Sequence, residues 1–164
     1  MTSDGEARTM APELISAGIA LHSIDDCLIV PVKSEVDDGY LTRLTRETLR
    51  QTSRTGVKGV LIDVSAVRVL EALHFSLLAD MAKMVALLGA RAIFVGFQAG
   101  VAAALIDLEV DIKDISSVVT MTDGLAALAS FKAERQELEE DQEMEAGTID
   151  NDSGESRGND HEHL

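Results

Sequence analysis

The 164-residue chain has no tryptophan, one tyrosine and four phenylalanines. Such a sequence builds its core from Ala, Val, Ile and Leu, and has little with which to stack nucleobases or sugar rings. Positive charge is scarce too: 14 Lys and Arg stand against 29 Asp and Glu, a formal net charge of −15. That balance repels phosphate backbones and anionic lipid surfaces, which excludes nucleic acid and direct membrane insertion and favours basic partners or plain solubility. The single cysteine, Cys27, cannot close an internal disulfide and lies in an apolar run, as a buried thiol in a reducing compartment would. No apolar segment approaches the roughly 18 residues a bilayer span requires, and the opening MTSDGEARTM holds no apolar signal core. A cytoplasmic protein is expected.

Motifs that carry chemistry are missing as well. There is no Gly-Lys-Ser or Gly-Lys-Thr phosphate loop and no Gly-x-Gly-x-x-Gly fingerprint, and the Gly96 and Gly100 pair is spaced too loosely to mark an anion site. No Gly-x-Ser-x-Gly elbow occurs, and His74 and Ser76, two apart on an expected helix, point in different directions. Of the four histidines, His22 and His74 have no ligand-spaced companions, and His161 and His163 fall in a polar end. No catalytic residue, metal site or cofactor is therefore expected.

What is present centres on residues 59–88, GVLIDVSAVRVLEALHFSLLADMAKMVALL. Val60, Leu61 and Ile62 read as a buried strand ending at Asp63, and Leu73, Leu77, Leu78, Met81, Met84, Val85 and Leu88 as the apolar stripe of a helix of about four turns. The two methionines read as core filler. In open sheets the loop beyond a strand's carboxyl end is where ligands and partners bind, so residues 63–72 are the first candidate site.

Around this stretch the chain reads as strands alternating with helices. Residues 19–24 and 27–32 form two β-prone runs joined by Asp25-Asp26, a hairpin, with Pro31 placing the second run near an edge or a bend. Asp37-Asp38-Gly39 caps a helix over 40–55, with Leu41, Leu44, Thr48 and Leu49 on one face, Arg43, Arg46, Glu47 and Arg50 on the other, and Gly56 as its C-cap. Another buried strand follows over 92–95, then a short helix over 101–108, a last short strand leading to Val118-Val119 and a final helix from Thr122-Asp123-Gly124. That helix fades into an acidic run: from Phe131 to Leu164 there are 12 acidic and 3 basic residues, a net of −9. The end, TIDNDSGESRGNDHEHL, has no apolar period and reads as disordered.

The order Asp26-Cys27-Leu28-Ile29-Val30, Thr55-Gly56-Val57-Lys58-Gly59-Val60-Leu61-Ile62-Asp63, Leu88-Gly89-Ala90-Arg91, Val95-Gly96-Phe97-Gln98, Val101-Ala102 and Leu105-Ile106 resembles the STAS domain. This is the fold of bacterial anti-sigma-factor antagonists, and the small stressosome scaffolds are most similar. The resemblance covers roughly residues 19–128. It implies an α/β fold with a central, mostly parallel mixed sheet of about five strands and about four helices. Composition sets the bounds around it: the polar, small-residue-rich opening reads as a flexible leader over 1–16, with the domain over 17–132 and an acidic helical extension and disordered tail over 133–164.

The function implied is that of a non-enzymatic scaffold, paired with itself or with other STAS proteins of one complex and holding a serine/threonine kinase of the anti-sigma type. In the family a serine or threonine preceded by aspartate starts the central helix and is phosphorylated; Glu71 and Ala72 stand there in this chain. Ala72 has no hydroxyl to modify. Glu71-Ala72 can be a plain helix start, a scaffold locked in its partner-binding state, or a sign that the switch has moved. Ser65 and Ser76 are then candidate phosphorylation sites, although a hydroxyl at position 65 also suits a local backbone bond. Ser153 and Ser156 are common acidic-tail serines. The expected partner-binding loop comprises Asp63, Ser65, Glu71, Ala72, His74 and Ser76. Two alternatives come from other classes: a STAS subunit of an ABC-type lipid transporter, and a small nucleotide-binding domain.

Overall fold

The computed structural model describes residues 14–16 and 18–148. Six strands form one sheet in chain order: β1 (Leu14–Ser16), β2 (Ile19–Ile24), β3 (Cys27–Pro31), β4 (Gly59–Asp63), β5 (Arg91–Val95) and β6 (Ser117–Val118). The first three pair antiparallel, and β3 to β6 run parallel. The parallel strands are joined through α1 (Asp38–Thr55), α2 (Ala72–Leu87) and α3 (Ala99–Asp107), and α4 (Met121–Thr148) closes the chain. The α/β sheet expected from the sequence is present, with one more short strand: Leu14–Ser16, read as part of the leader, pair with residues 19–21. The chain falls into two units, Met1–Ala129 and Ser130–Leu164. In the second, the helix continues through the acidic run to Thr148, and the tail expectation beyond that residue lies outside the described residues, as do Ser153, Ser156, His161 and His163.

Both faces of the sheet are apolar, as parallel strands between helices require. Leu28, Val30, Val60, Ile62 and Phe94 point into the larger core with Leu41 and Leu44 of α1 and Phe75, Leu78, Met81 and Val85 of α2. Cys27, Leu61, Ile93 and Val95 point the other way and are met by Leu128 near the start of α4. The close approach there depends on two glycines. A Cβ on Gly59 would overlap the Leu128 methyls, and one on Gly124 would come within 3.0 Å of Leu61 Cδ2.

Helix α1 is capped at both ends as its sequence predicts. Asp37 Oδ1 accepts the Tyr40 N–H at 2.8 Å, and Gly56, at φ 66°, donates its N–H to Thr52 O at 3.0 Å. Three expectations need correction. Glu47, assigned to the polar face, is buried, because Arg50 Nη2 and Gln51 Nε2 donate to its Oε1 at 2.8 and 2.7 Å and Arg50 Nε to its Oε2 at 3.0 Å. Pro31 lies on an interior strand; Val32 N–H donates to Asp63 O, so the residue-31 nitrogen faces β2 beyond the last ladder pair, His22 with Ile29, where no donor is needed. The α2 stripe is rotated: Leu73 and Leu88 are exposed, while Phe75 and Ala79 are buried.

Two outcomes follow from these contacts. Leu128→Ala is expected to cost about 2–5 kcal/mol in chemical denaturation and Gly59→Ala about 1–3 kcal/mol, with Gly59→Ala costing less when Leu128 is already truncated. Strict additivity of the two would show that α4 does not pack on β4. The Tyr40 N–H, aided by Lys33 and Arg43, holds the Asp37 carboxyl below its ordinary pKa. Its contribution is therefore present above about pH 4 and lost as pH falls through the folded-state value. Asp37→Asn should melt below the parent at neutral pH, and the gap should close as pH falls below the ordinary carboxylate value of about 4 and on through the lower folded-state value; a gap that widens in acid would contradict the assignment.

Candidate functional site

Because β3, β4 and β5 are parallel, the loops leaving their carboxyl ends gather at one edge of the sheet. Together they enclose an open groove of about 800 Å³. One wall is the loop between β3 and α1, which contributes Ser34, Glu35 and Val36. Tyr40 pins this loop: its hydroxyl donates to Pro31 O at 3.2 Å and accepts the Lys33 N–H at 3.1 Å, and Lys33 Nζ lies 4.3 Å from the ring centroid. Burial pushes the Tyr40 phenol above its ordinary pKa, which keeps it the neutral donor this arrangement uses.

The opposite wall is the expected loop. Asp63 ends β4 and turns its Oδ1 to accept the Ser65 N–H at 3.0 Å, so its carboxylate is used in a local turn. The Ser65 carbonyl accepts from Gln98 Nε2 at 2.8 Å, across 33 residues. Gly96, at φ +82°, lies so close that a Cβ there would be 2.8 Å from Ser65 Cβ. The three contacts fix the Ser65 backbone and leave its side chain exposed. Ala66, Arg68 and Val69 continue the wall, with Val67 and Leu70 turned into the core.

At the groove's end the chain enters α2. Glu71 is the N-cap, in extended geometry and without a side-chain capping bond, and its carbonyl accepts the Phe75 N–H at 2.9 Å. Ala72 is the first helical residue. His74 Nε2 lies 3.0 Å from Asp38 Oδ1, which ties the first turn of α2 to the first turn of α1. Beneath this turn Phe75, Phe94 and Phe97 pack with ring centroids 5.5–6.3 Å apart, so three of the four phenylalanines support the site.

Of the expected residues, the groove brings together Ser65, Glu71 and His74. Asp63 stands behind the loop as its turn acceptor, Ala72 starts the helix beside Glu71, and Ser76, whose hydroxyl donates to Ala72 O at 2.9 Å, does not line the groove. Reading the loop after one strand missed the wall at 34–36 and the Gln98 brace. The signal for both was the parallel order of three strands, which sends three loops to the same edge. Among the described residues no group of three or more His, Cys, Asp or Glu is placed to hold a metal ion, and no helix is long and apolar enough to cross a membrane.

No curated protein matches the chain. Among solved structures, a glutamate-for-serine variant of RsbS from Moorella thermoacetica superposes with a TM-score of 0.62 at 23% identity, over 70% of this chain and 97% of that one. A chain from the stressosome, described as a signal integration and transduction hub, gives 0.60 at 22% identity, over 68% and 97%. An anti-sigma factor antagonist assigned in Thermotoga maritima gives 0.58 at 12% identity, over 69% and 96%. At these identities the likeness is one of fold. The STAS domain model matches residues 18–120, a span that holds β2 to β6, α1 to α3 and the whole strand-end groove, and the chain belongs to the STAS domain family.

Proposed function

We propose that the chain is a non-enzymatic scaffold and anti-sigma-factor antagonist of a stressosome-like signalling complex, acting in the cytoplasm. In this reading residues 17–132 are the STAS module and 133–164 an acidic extension. The module pairs with itself and with other STAS proteins, and the strand-end groove with the start of α2 holds a serine/threonine kinase.

The observation that carries the proposal is the start of α2. Glu71 and Ala72 stand at the rim of a rigid groove, on the first turn of a helix whose free N–H groups would favour an added phosphate. Ala72 offers no oxygen to receive one, so the surface keeps its unmodified charge and shape and binding is not interrupted. Neither nearby hydroxyl reproduces the missing one. Ser76 is one turn further on, bonded to Ala72 O, and Ser65 sits on a backbone fixed by Asp63 and Gln98.

The test is phosphate uptake, followed by intact mass and peptide mapping, after incubation with the stressosome-type kinase of the same source and ATP. The parent chain is expected to take up no phosphate on residues 63–76, and Ala72→Ser to take up one. A parent chain modified on Ser65 or Ser76 would show that the switch has moved. An Ala72→Ser variant left unmodified, while an authentic serine-bearing relative is modified in the same assay, would remove the equivalence of Ala72 with the phospho-acceptor.

A further inference from the structure

We propose that the groove seats a partner segment combining a large apolar side chain with a neighbouring lysine or arginine, the apolar group covering Val69 and Leu73 and the cation meeting Glu35 and Glu71. The inference rests on the reading above that a protein docks here, and it specifies the chemistry of the docking segment.

The apolar half follows from exposure. Val69 is 76% and Leu73 59% exposed, whereas Leu70 between them is 4% exposed. The turn into α2 thus buries one aliphatic side chain and holds two in water: Val69 lines the groove, and Leu73 is exposed on the first turn of α2, between the groove-lining Glu71 and His74 in the chain. These two aliphatic residues flank Ala72, which adds no polar atom. The loop beneath is braced by Gln98 and Gly96 and the helix start by the phenylalanine trio, so these side chains are presented on a rigid support. A pre-ordered apolar surface costs little further ordering when a partner covers it.

The charged half follows from what is already paired. Lys33 Nζ is 3.4 Å from Asp37 Oδ2, and His74 is bonded to Asp38. Of the groove's own residues, Glu35 and Glu71 have no ion-pair partner among the described residues, and Arg68 is the one guanidinium against them. The local balance is acidic, and the chain as a whole carries −15. A basic segment is drawn to this edge, while a second copy of so acidic a chain brings like charge to it, which makes a different protein the occupant.

The experiment is calorimetric titration of the full chain with the kinase of the same source, at low and high ionic strength. The variants are Val69→Ser, Leu73→Ser and the pair Glu35→Lys with Glu71→Lys. Leu87→Ser, which alters a side chain 86% exposed at the far end of α2, is the control. Thermal melts confirm that each variant is folded. Val69→Ser and Leu73→Ser are each expected to weaken binding by about tenfold or more, the control by less than about twofold. The charge-reversed pair should weaken binding at low salt and lose the salt dependence shown by the parent. A parent that binds while both serine variants bind equally well overturns the inference and leaves the kinase partner standing. Serine variants that weaken binding without any salt dependence overturn its cationic half. A parent that does not bind the kinase removes the reading of the partner, and the inference with it.

Discussion

Gly59, Val60, Leu61 and Ile62 are all buried, because β4 runs between parallel neighbours and is covered on both faces. A strand in that position needs apolar side chains in both directions and a helix on each side. On one side α1 and α2 provide the cover, on the other the first turns of α4, whose approach is close because Gly59 and Gly124 have no side chains to block it. The groove is a by-product of this order. Three parallel strands end at the same edge, and each must turn into its next helix there.

The same constraint determines what the groove presents to its surroundings. Its loops are cross-braced through Asp63, Gly96 and Gln98, anchored by Tyr40 on one wall, and supported from below by Phe75, Phe94 and Phe97. Among the residues that line it, His74 is tied to Asp38. What the edge does offer is a shape, two aliphatic side chains in water and a small acidic excess. Those are the properties of a surface another protein covers, in line with the scaffold role proposed for this member of the STAS family.

Much of the fold could be read from short-range pattern, and the misses have physical causes. The hairpin over 19–32, the caps of α1 and the strand-loop-helix at 59–88 depend on local periodicity and turn chemistry, which a sequence displays directly. Glu47 was misplaced because a charged residue beside arginines reads as a solvated face; its burial depends on Arg50 and Gln51 closing over it. The α2 stripe was placed one step round the helix because counting leucines and methionines gave Phe75 no special weight. That ring is drawn inward by Phe94 and Phe97, which lie about 20 residues further along and become its neighbours only when β5 pairs with β4. Ser34–Val36 and Gln98 were missed at the site for the same reason. Val69 and Leu73 were legible as apolar, but their exposure is a property of the turn that buries Leu70.

The scaffold role proposed for this chain requires it to be a building block of a larger signalling particle. The most direct measurement is its mass by light scattering, alone and mixed with the related STAS proteins of its own source. The expected result is a particle of many chains that incorporates this 17.6 kDa protein. A chain that remains a monomer or dimer in every mixture, while its relatives assemble without it, would contradict that claim.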